Sequence, residues 1–366
     1  MSPLGALHQF VPHLNPGAIA THLLGVQDAL RQHGLCSEVF AGAVDPAFAG
    51  RARSYLEYGG AVPAQPGDAL LYHVALGSPM AGWLAARPET LVLDHHNITP
   101  ARYFAAWDWR LAGHARKGRR ELETLAPRAD FGWADSAFNQ RELIDAGCRR
   151  TAVVPILIDL DDEARAPDPD LLARLIDAKA AGGADWVFVG RVTPNKAQHD
   201  IVKAFAAYRR LYDPGARLRL VGDPSPPRYF STVARFVEGL GLGDAVTLTG
   251  AAGRRAIAAA YRAADVFVCL SEHEGFCVPL LEAWYHKVPI VAFAATAVPE
   301  TLGPAGLLLA DKAHAVVATA VHRVLSDPGL RTRLVEAGTA RLPLFSLSTS
   351  RQRLYRAVAA IEAAGR

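Results

Sequence analysis

Short apolar runs alternate with amphipathic segments along the second half of the chain. Six runs are predicted strands: Trp186–Gly190, Arg217–Gly222, Val246–Gly250, Asp265–Leu270, Pro289–Phe293 and Gly306–Leu309. Helical spacing is found in four other segments: Gln198–Leu211, Ala256–Ala264, Pro279–His286 and Ala313–Leu325. This alternation is typical of βαβ units, which build a parallel sheet covered on both faces. Ligands of such sheets bind at the carboxyl ends of the strands.

The first half of the chain repeats this pattern more loosely. Its predicted strands are Leu7–Val11, Glu38–Phe40, Leu70–His73, Thr90–Leu93, Phe131–Ala134 and Ala152–Val154. Residues 18–33 form an amphipathic helix between the first two of these strands. The pattern therefore predicts an α/β protein with a second parallel sheet.

The chain has 366 residues, which is more than one ordinary hydrophobic core holds. Asp, Pro and Ala dominate residues 155–170, and a second break falls at 342–344. We therefore predict a first domain over residues 1–160 and a second domain over 161–345. A last amphipathic helix starts at Thr349 and belongs to the C-terminal segment 349–366.

Composition and charge narrow the functional class. Half of the residues are hydrophobic and a fifth are charged, as in ordinary globular proteins. A net charge of +3, without a base-stacking motif, argues against nucleic acid as a partner. The four cysteines form no C-x-x-C pair, and residues 1–5 lack signal-peptide features. We therefore expect a cytoplasmic protein with reduced thiols.

Two carboxylates flank a predicted helix start in the segment Ser271–Glu282. Gly275 lets the backbone approach a ligand, and Pro279 suits the first helical position. Glu282 lies one turn into the helix and leans back toward Glu274. Carboxylates beside backbone N–H donors suit a ligand rich in hydroxyls. Taken alone, the segment is equally consistent with a surface loop and a helix-stabilising glutamate.

Two cations follow the predicted strand Trp186–Gly190. Arg191 offers a planar fork to phosphate and Lys196 a point charge, just before a helix begins. This placement suits a diphosphate, although a basic surface loop has the same composition. The chain contains neither G-x-x-x-x-G-K-[ST] nor G-x-G-x-x-G, so it lacks the sequence motifs of P-loop ATPases and of dinucleotide-binding enzymes.

A polar cluster, Asp94-His95-His96-Asn97, ends a predicted strand of the first half. Such a strand end suits the handling of hydroxyl groups. Strand alternation predicts that His95 and His96 point to opposite sides. Adjacent residues do not converge on one ion, which argues against a zinc site made of Asp94, His95 and His96. The alternative for either histidine is a packed structural side chain.

In order and spacing, several segments of the second half resemble the donor domain of family 4 glycosyltransferases. They are Val187–Arg191 with Lys196, Leu220–Gly222, Val246–Gly250, Asp265–Val268 with Ser271–Phe276 and Glu282, and Pro289–Ala292 with Val298–Glu300. The resemblance spans about residues 186–309, is fair over 127–159 and is weaker near the N-terminus. It implies the GT-B fold, in which two Rossmann-like domains face each other across a cleft. It also implies a retaining hexosyltransferase that uses a nucleotide-diphosphate sugar.

Carried over by motif, the resemblance assigns the donor-binding residues. Arg191 and Lys196 would hold the diphosphate of a UDP- or GDP-linked sugar, and Glu282 the ribose. Glu274 would bind the transferred sugar as a catalytic residue. The backbone of Gly275, Phe276 and Cys277 would bind the same sugar. Since side chains and helix ends neutralise the phosphates, the resemblance implies no metal and no other cofactor.

The same resemblance reaches the first domain through two residues. His96 would face the transferred sugar and act as the second catalytic residue. Gly17, within Asn15–Ala18, is the one residue there that retains the character of a donor-phosphate turn. Cys277 departs from the family because glycine is common at its position, so its side chain would narrow the sugar pocket. The helix in 349–366 would pack back on the first domain.

The acceptor is a hydroxyl of a glycan, glycolipid or small molecule, and the sequence does not choose among them. Residues Arg110–Arg120 hold five permanent cations after several aromatic residues. This pattern is consistent with peripheral contact with an anionic membrane, and also with a solvated helix face or with cations that line the acceptor groove. Two other functions share these features. One is a sugar-nucleotide 2-epimerase of the same fold, and the other is a non-catalytic protein that binds sugar nucleotides.

Overall fold

The computed structural model describes residues 4–161 and 166–364. Met1–Arg102, Trp109–Asp159 and Leu344–Arg366 form the first compact domain, and Tyr103–Asp108 with Leu160–Pro343 form the second. Residues 1–3, 162–165 and 365–366, which belong to the predicted domain ends and junction, lie outside the described residues. The segment Tyr103–Asp108 departs from the predicted boundaries. It groups with the second domain because Trp107 packs edge-on against Tyr229, with ring centroids 5.0 Å apart.

The first domain is built on a parallel sheet of seven strands. They are β1 (Ala6–Leu14), β2 (Val39–Val44), β3 (Arg53–Ser54), β4 (Asp68–Val74), β5 (Thr90–His95), β6 (Phe131–Ala134) and β7 (Thr151–Val153). Their order in the sheet is β3-β2-β1-β4-β5-β6-β7, and β4 is buried along its whole length. Pattern reading missed only β3 among these strands, because its two residues are exposed and carry no apolar run.

Helices cover both faces of this sheet, as the crossover connections of parallel strands require. They are α1 (Ala18–Gln32), α2 (Pro79–Ala85), α3 (Trp109–Leu125), α4 (Ala137–Asp145) and a C-terminal helix (Leu347–Ala364). The C-terminal helix places Leu354 and Val358 in one apolar cluster with Val26 and Leu30 of α1. Tyr355 Oη donates to the carbonyl of Ala29 at 3.2 Å, which fixes the two helices together.

The second domain contains a parallel sheet of six strands in the order β10-β9-β8-β11-β12-β13. The strands are β8 (Asp185–Val189), β9 (Arg217–Val221), β10 (Val246–Gly250), β11 (Val266–Cys269), β12 (Ile290–Phe293) and β13 (Leu307–Leu309). The helices are α5 (Pro169–Lys179), α6 (Gln198–Leu211), α7 (Pro227–Gly239), α8 (Arg254–Ala263), α9 (Val278–Tyr285), α10 (Val298–Leu302), α11 (His314–Ser326) and α12 (Pro328–Arg341). The predicted α/β class with two parallel-sheet domains is confirmed.

Each sheet has one place where the direction of strand addition reverses. In the first domain this place lies between β1 and β4, and in the second between β8 and β11. Crossovers leave in opposite directions there, which opens a crevice beyond the carboxyl ends of the strands. No helix of the described residues has both the length and the apolar character needed to cross a membrane.

Candidate functional site

The turn between β11 and α9 is held in place by groups from two other turns of the second domain. Asn195, after β8, donates from Nδ2 to the carbonyl of His273 at 3.0 Å and accepts from the backbone of Glu272 at 2.8 Å. Thr296, after β12, donates from Oγ1 to the carbonyl of Glu274 at 2.8 Å and accepts from its N–H at 2.8 Å. These bonds fix the backbone that carries the predicted sugar-binding residues.

The central feature of this site is a donor cluster formed by Arg191, Lys196 and Glu274. Lys196 Nζ donates to a carboxylate oxygen of Glu274, a residue that is only 7% exposed. Burial opposes the charge of Lys196, but the Glu274 carboxylate outweighs it and raises the pKa of Lys196. Arg191 is exposed, and it interacts electrostatically with the same carboxylate. The cluster thus brings two cations to the end of β8, where Glu274 and, for Arg191, Asp223 are the nearby carboxylates.

Cys277 has a left-handed backbone at the start of α9, with φ 74° and ψ 65°. This conformation costs an L-residue about 1–2 kcal/mol, whereas glycine adopts it freely. The positive φ is consistent with the glycine that the family resemblance implies at this position. The Cys277 side chain is buried, with its Sγ 4.0 Å from Sγ of Cys269. The helix begins at Val278, one residue before the predicted start.

Glu282 lies on α9, and a buried tyrosine orients its carboxylate. Tyr261 Oη, from α8, lies 3.2 Å from Glu282 Oε2 and 3.2 Å from the carbonyl of Pro279. Its ring stacks on His286 with centroids 5.5 Å apart. Burial, and then the charge of Glu282, raise the pKa of Tyr261, so the hydroxyl stays a donor.

Gly17 caps the start of α1 in the first domain, whereas the other predicted donor-binding residues all lie in the second. Its φ of 153° is one that side-chain-bearing residues rarely adopt. A Cβ placed on Gly17 would meet nothing within 4 Å, so the backbone conformation, not crowding, selects glycine. The start of α1 is thus open to the close approach of a ligand.

His96 follows β5 and is held inside the first domain. Its ring stacks on His73 with centroids 5.2 Å apart, and its side chain is only 1% exposed. Nδ1 lies 3.1 Å from both carboxylate oxygens of Asp135, and Nε2 lies 2.9 Å from His73 Nδ1. Burial opposes its charge, but Asp135 and then Asp94 outweigh it and raise the pKa of His96 to about 9. Contact between His96 and a sugar stays a prediction.

The neighbouring histidine points elsewhere, in accordance with strand alternation. His95 Nε2 lies 3.0 Å from a carboxylate oxygen of Glu142, on α4. Arg119 of α3 binds the same carboxylate at 3.1 Å. Part of the predicted basic segment 110–120 is therefore engaged within its own domain. Trp109, at the start of α3, is 72% exposed.

Several residues that bind these side chains were not predicted as site residues from the sequence. In the second domain they are Asn195, Thr296 and Tyr261, which fix the turn and the carboxylates. In the first domain His73 and Asp135 hold His96. His73 ends a predicted strand, and Asp135 follows another. Their position at strand ends was therefore the one feature of the sequence that could have indicated a role in the site.

Known proteins resemble this chain in sequence and in fold. The family described as Glycosyl transferases group 1 matches residues 177–341. The chain is 33% identical over 285 residues to D-inositol 3-phosphate glycosyltransferase of Geodermatophilus obscurus, an alignment that covers 72% of this chain and 60% of that protein. The chain spans less than two thirds of the length of this relative and of similar ones from Actinosynnema mirum and Kineococcus radiotolerans.

Two solved structures share the fold at low identity. Sucrose-phosphate synthase from Thermosynechococcus elongatus has a TM-score of 0.79 at 21% identity, covering 98% of this chain and all of that one. Anabaena HepE in complex with UDP-glucose has a TM-score of 0.74 at 20% identity, covering 97% of this chain and 99% of that one. The family match lies within the second domain. Residues 177–341 are therefore similar to the group 1 glycosyl transferases.

Proposed function

We propose that the protein is a retaining glycosyltransferase that moves a sugar from a UDP- or GDP-linked donor to a hydroxyl acceptor. The observation that carries this proposal is the donor cluster. Its lysine and glutamate follow β8 and β11, the adjacent strands between which the order of the sheet reverses. The cluster places two cations where parallel sheets bind their ligands.

Donor binding would exchange the partner of Lys196. In the free protein Glu274 accepts from Lys196 Nζ. A diphosphate would attract Lys196 and Arg191, which neutralise the charge that develops as the nucleotide departs. Glu274 is then available to accept a hydroxyl hydrogen of the transferred sugar. The backbone of Gly275, Phe276 and Cys277, fixed by neighbouring turns, would complete the sugar site.

Glu282 would bind the two ribose hydroxyls of the nucleotide. The Tyr261 hydroxyl lies 3.2 Å from one of its carboxylate oxygens and orients the group, whose oxygens accept hydrogen bonds from hydroxyls. Because a ribose is common to UDP and GDP, this contact would not choose between the bases. The segment after β10 would flank the base.

For the reaction itself we propose departure of the diphosphate and attack of the acceptor on the same face of the sugar. The leaving diphosphate would help to remove the acceptor proton, so the step uses no covalent nucleophile and the positive charge comes from side chains. Similarity to a D-inositol 3-phosphate glycosyltransferase favours a small polyol phosphate among glycan, glycolipid and small-molecule acceptors. We place this reaction in the cytoplasm, with peripheral membrane contact through α3.

The decisive experiment is a thermal-shift and turnover screen of the full-length protein. UDP, GDP and their common sugar conjugates are tested, and slow donor hydrolysis is followed without added acceptor. We expect one base series to raise the Tm and one conjugate to be hydrolysed. Lys196→Met should abolish both effects, whereas Lys203→Met, an exposed lysine of α6, should not.

Other outcomes separate the alternatives. Release of an intact, epimerised sugar nucleotide would identify a 2-epimerase. Binding without any turnover, also in the presence of candidate acceptors, would identify a sensor. A screen in which no nucleotide changes the Tm would overturn the donor site altogether.

A further inference from the structure

Six buried polar side chains meet around β1, β4 and β5 of the first domain and form what we call the histidine cluster. The members are Gln9, His22, His73, Asp94, His96 and Asp135. Their polar atoms come from four strands or strand ends and from α1, so the sheet order, not the sequence, brings them together. The donor cluster of the second domain shares none of them.

Three atoms of the cluster surround one point. His73 Nδ1 lies 2.9 Å from His96 Nε2 and 3.2 Å from Asp94 Oδ2, and the last two atoms are 3.5 Å apart. A circle through them has a radius of about 1.9 Å, close to the 2.0–2.1 Å bonds that zinc forms with nitrogen and oxygen. An ion just above their plane would therefore reach all three.

The outer atoms of the same side chains are already bonded. His73 Nε2 lies 2.9 Å from Gln9 Oε1, and His96 Nδ1 lies 3.1 Å from Asp135. With an ion bound, these acceptors would hold the ring protons on the outer nitrogens, and both inner nitrogens would offer lone pairs. Without the ion, a proton between His73 Nδ1 and His96 Nε2 forms their hydrogen bond, and the ion would displace it. Histidine ligands of metals are commonly oriented by an outer carboxylate or carbonyl in this way.

His22 approaches the same carboxylate but in a different role. The backbone N–H of Leu157 donates to His22 Nδ1 at 2.9 Å, so the ring proton is on Nε2. That nitrogen lies 2.9 Å from Asp94 Oδ2 and donates to it. His22 therefore orients the carboxylate and is not itself a ligand.

The buried charges of the histidine cluster also favour a bound cation. Within residues 4–161 and 166–364, the ion pairs of Asp94 and Asp135 are all with histidines. A proton on His96 offsets only one of the two buried negative charges, whereas a divalent cation offsets both. Asp94 Oδ1 is buried and has no hydrogen-bond partner among the described residues, so it is free to face an ion.

From this geometry we infer that the first domain holds a divalent transition-metal ion, with His73, His96 and Asp94 as ligands. Two imidazoles and a carboxylate match the preferences of Zn²⁺ and its first-row neighbours. The ion joins the ends of β4 and β5 and has a structural role. This assignment uses both ring nitrogens of His96 and therefore replaces the sugar contact that the family resemblance implies for that residue. The inference does not depend on the proposed transferase activity.

The test is a metal titration of the full-length wild-type protein, produced without a polyhistidine tag and stripped with a chelator. We expect one Co²⁺ per chain, with visible absorption of a four- or five-coordinate nitrogen and oxygen site. Zn²⁺ at 100-fold excess over its Kd should raise the Tm by roughly 5 °C. A wild-type chain that binds neither ion and keeps its Tm overturns the inference.

Variants locate the ion. Asp94→Asn should abolish Co²⁺ binding, and His33→Gln, which changes an exposed histidine, should retain it. Asp94→Asn can also unfold the domain, so the wild-type titration decides independently of it. Cys269, Glu274 and Cys277 form a second group close enough to bind a metal. Cobalt absorption typical of thiolate, lost in Cys277→Ser, would place the ion there and contradict our assignment.

Discussion

The donor cluster and the histidine cluster occupy the same kind of place in two sheets of similar order. Each lies near the point where the order of the sheet reverses, the donor cluster after β8 and β11 and the histidine cluster along β1, β4 and β5. The donor cluster holds two cations, one of them the exposed Arg191, so it is prepared for an anion that binds and leaves. The histidine cluster is closed and carries a surplus of carboxylates. Position in the fold offers a binding site, and charge and exposure decide what occupies it.

The strongest test of this contrast is the removal of the donor cation. Lys196→Met should lower donor turnover by about 100- to 1,000-fold, because a preorganised charge at the leaving group is lost. Stability should fall as well, because the nearly buried Glu274 carboxylate loses its hydrogen-bonded cation, so turnover is measured well below the Tm of the variant. Donor hydrolysis is measured beside Lys203→Met. Equal activity of the two variants would show that the anion binds elsewhere.

In the histidine cluster a single substitution should affect stability and not donor binding. Asp135→Asn breaks a buried charged contact with His96 and should cost about 3 kcal/mol of unfolding free energy. Urea denaturation measures this cost, with Asp145→Asn, an exposed carboxylate of α4, as control. A loss of nucleotide affinity without a loss of stability would contradict the division of roles.

Within the donor domain, the ribose contact should be weaker than the phosphate contact. Glu282→Ala should reduce nucleoside diphosphate affinity about 10- to 100-fold, because charge-assisted hydrogen bonds contribute about 1.5–3 kcal/mol each. Pyrophosphate affinity should not change, which calorimetry can establish. Glu238→Ala, on the exposed face of α7, is the control. A parallel loss of pyrophosphate binding would argue that Glu282 supports the fold.

A smaller effect concerns the strained turn. Cys277→Gly and Cys277→Ala both remove the thiol, but only glycine relieves the left-handed backbone. Cys277→Gly should therefore be the more stable of the two by about 1 kcal/mol. Thermal denaturation of both variants measures the difference. Equal stabilities would mean that the turn relaxes when the side chain is lost.

The smallest expected effect is on the surface. Wild-type protein should bind phosphatidylserine vesicles at low salt, and Arg110→Ala should weaken this about five-fold, as one basic residue contributes about 1 kcal/mol near an anionic surface. Arg174→Ala, on α5, is the matched control. Vesicle sedimentation that detects no wild-type binding would rule out membrane contact.

The sequence predicted the ends of the strands well, but it did not predict which residues bind the polar side chains there. Apolar runs marked the twelve longer strands, and the polar residues after them marked Arg191, Lys196, Glu274 and His96. The bonds that define the sites join distant segments, such as Asn195 with His273. Those bonds depend on sheet order, which local patterns do not contain. The reason for the unusual Cys277 likewise appeared only in its backbone angle.

The C-terminal helix has a consequence for the order of folding. Residues 347–364 complete the apolar cluster that contains Val26 and Leu30, yet they follow the whole second domain in the chain. During synthesis the donor-binding half can finish its sheet while the first half still exposes an apolar groove. The earliest residues to be made are thus among the last to be fully covered, and a chaperone would meet the protein at that groove.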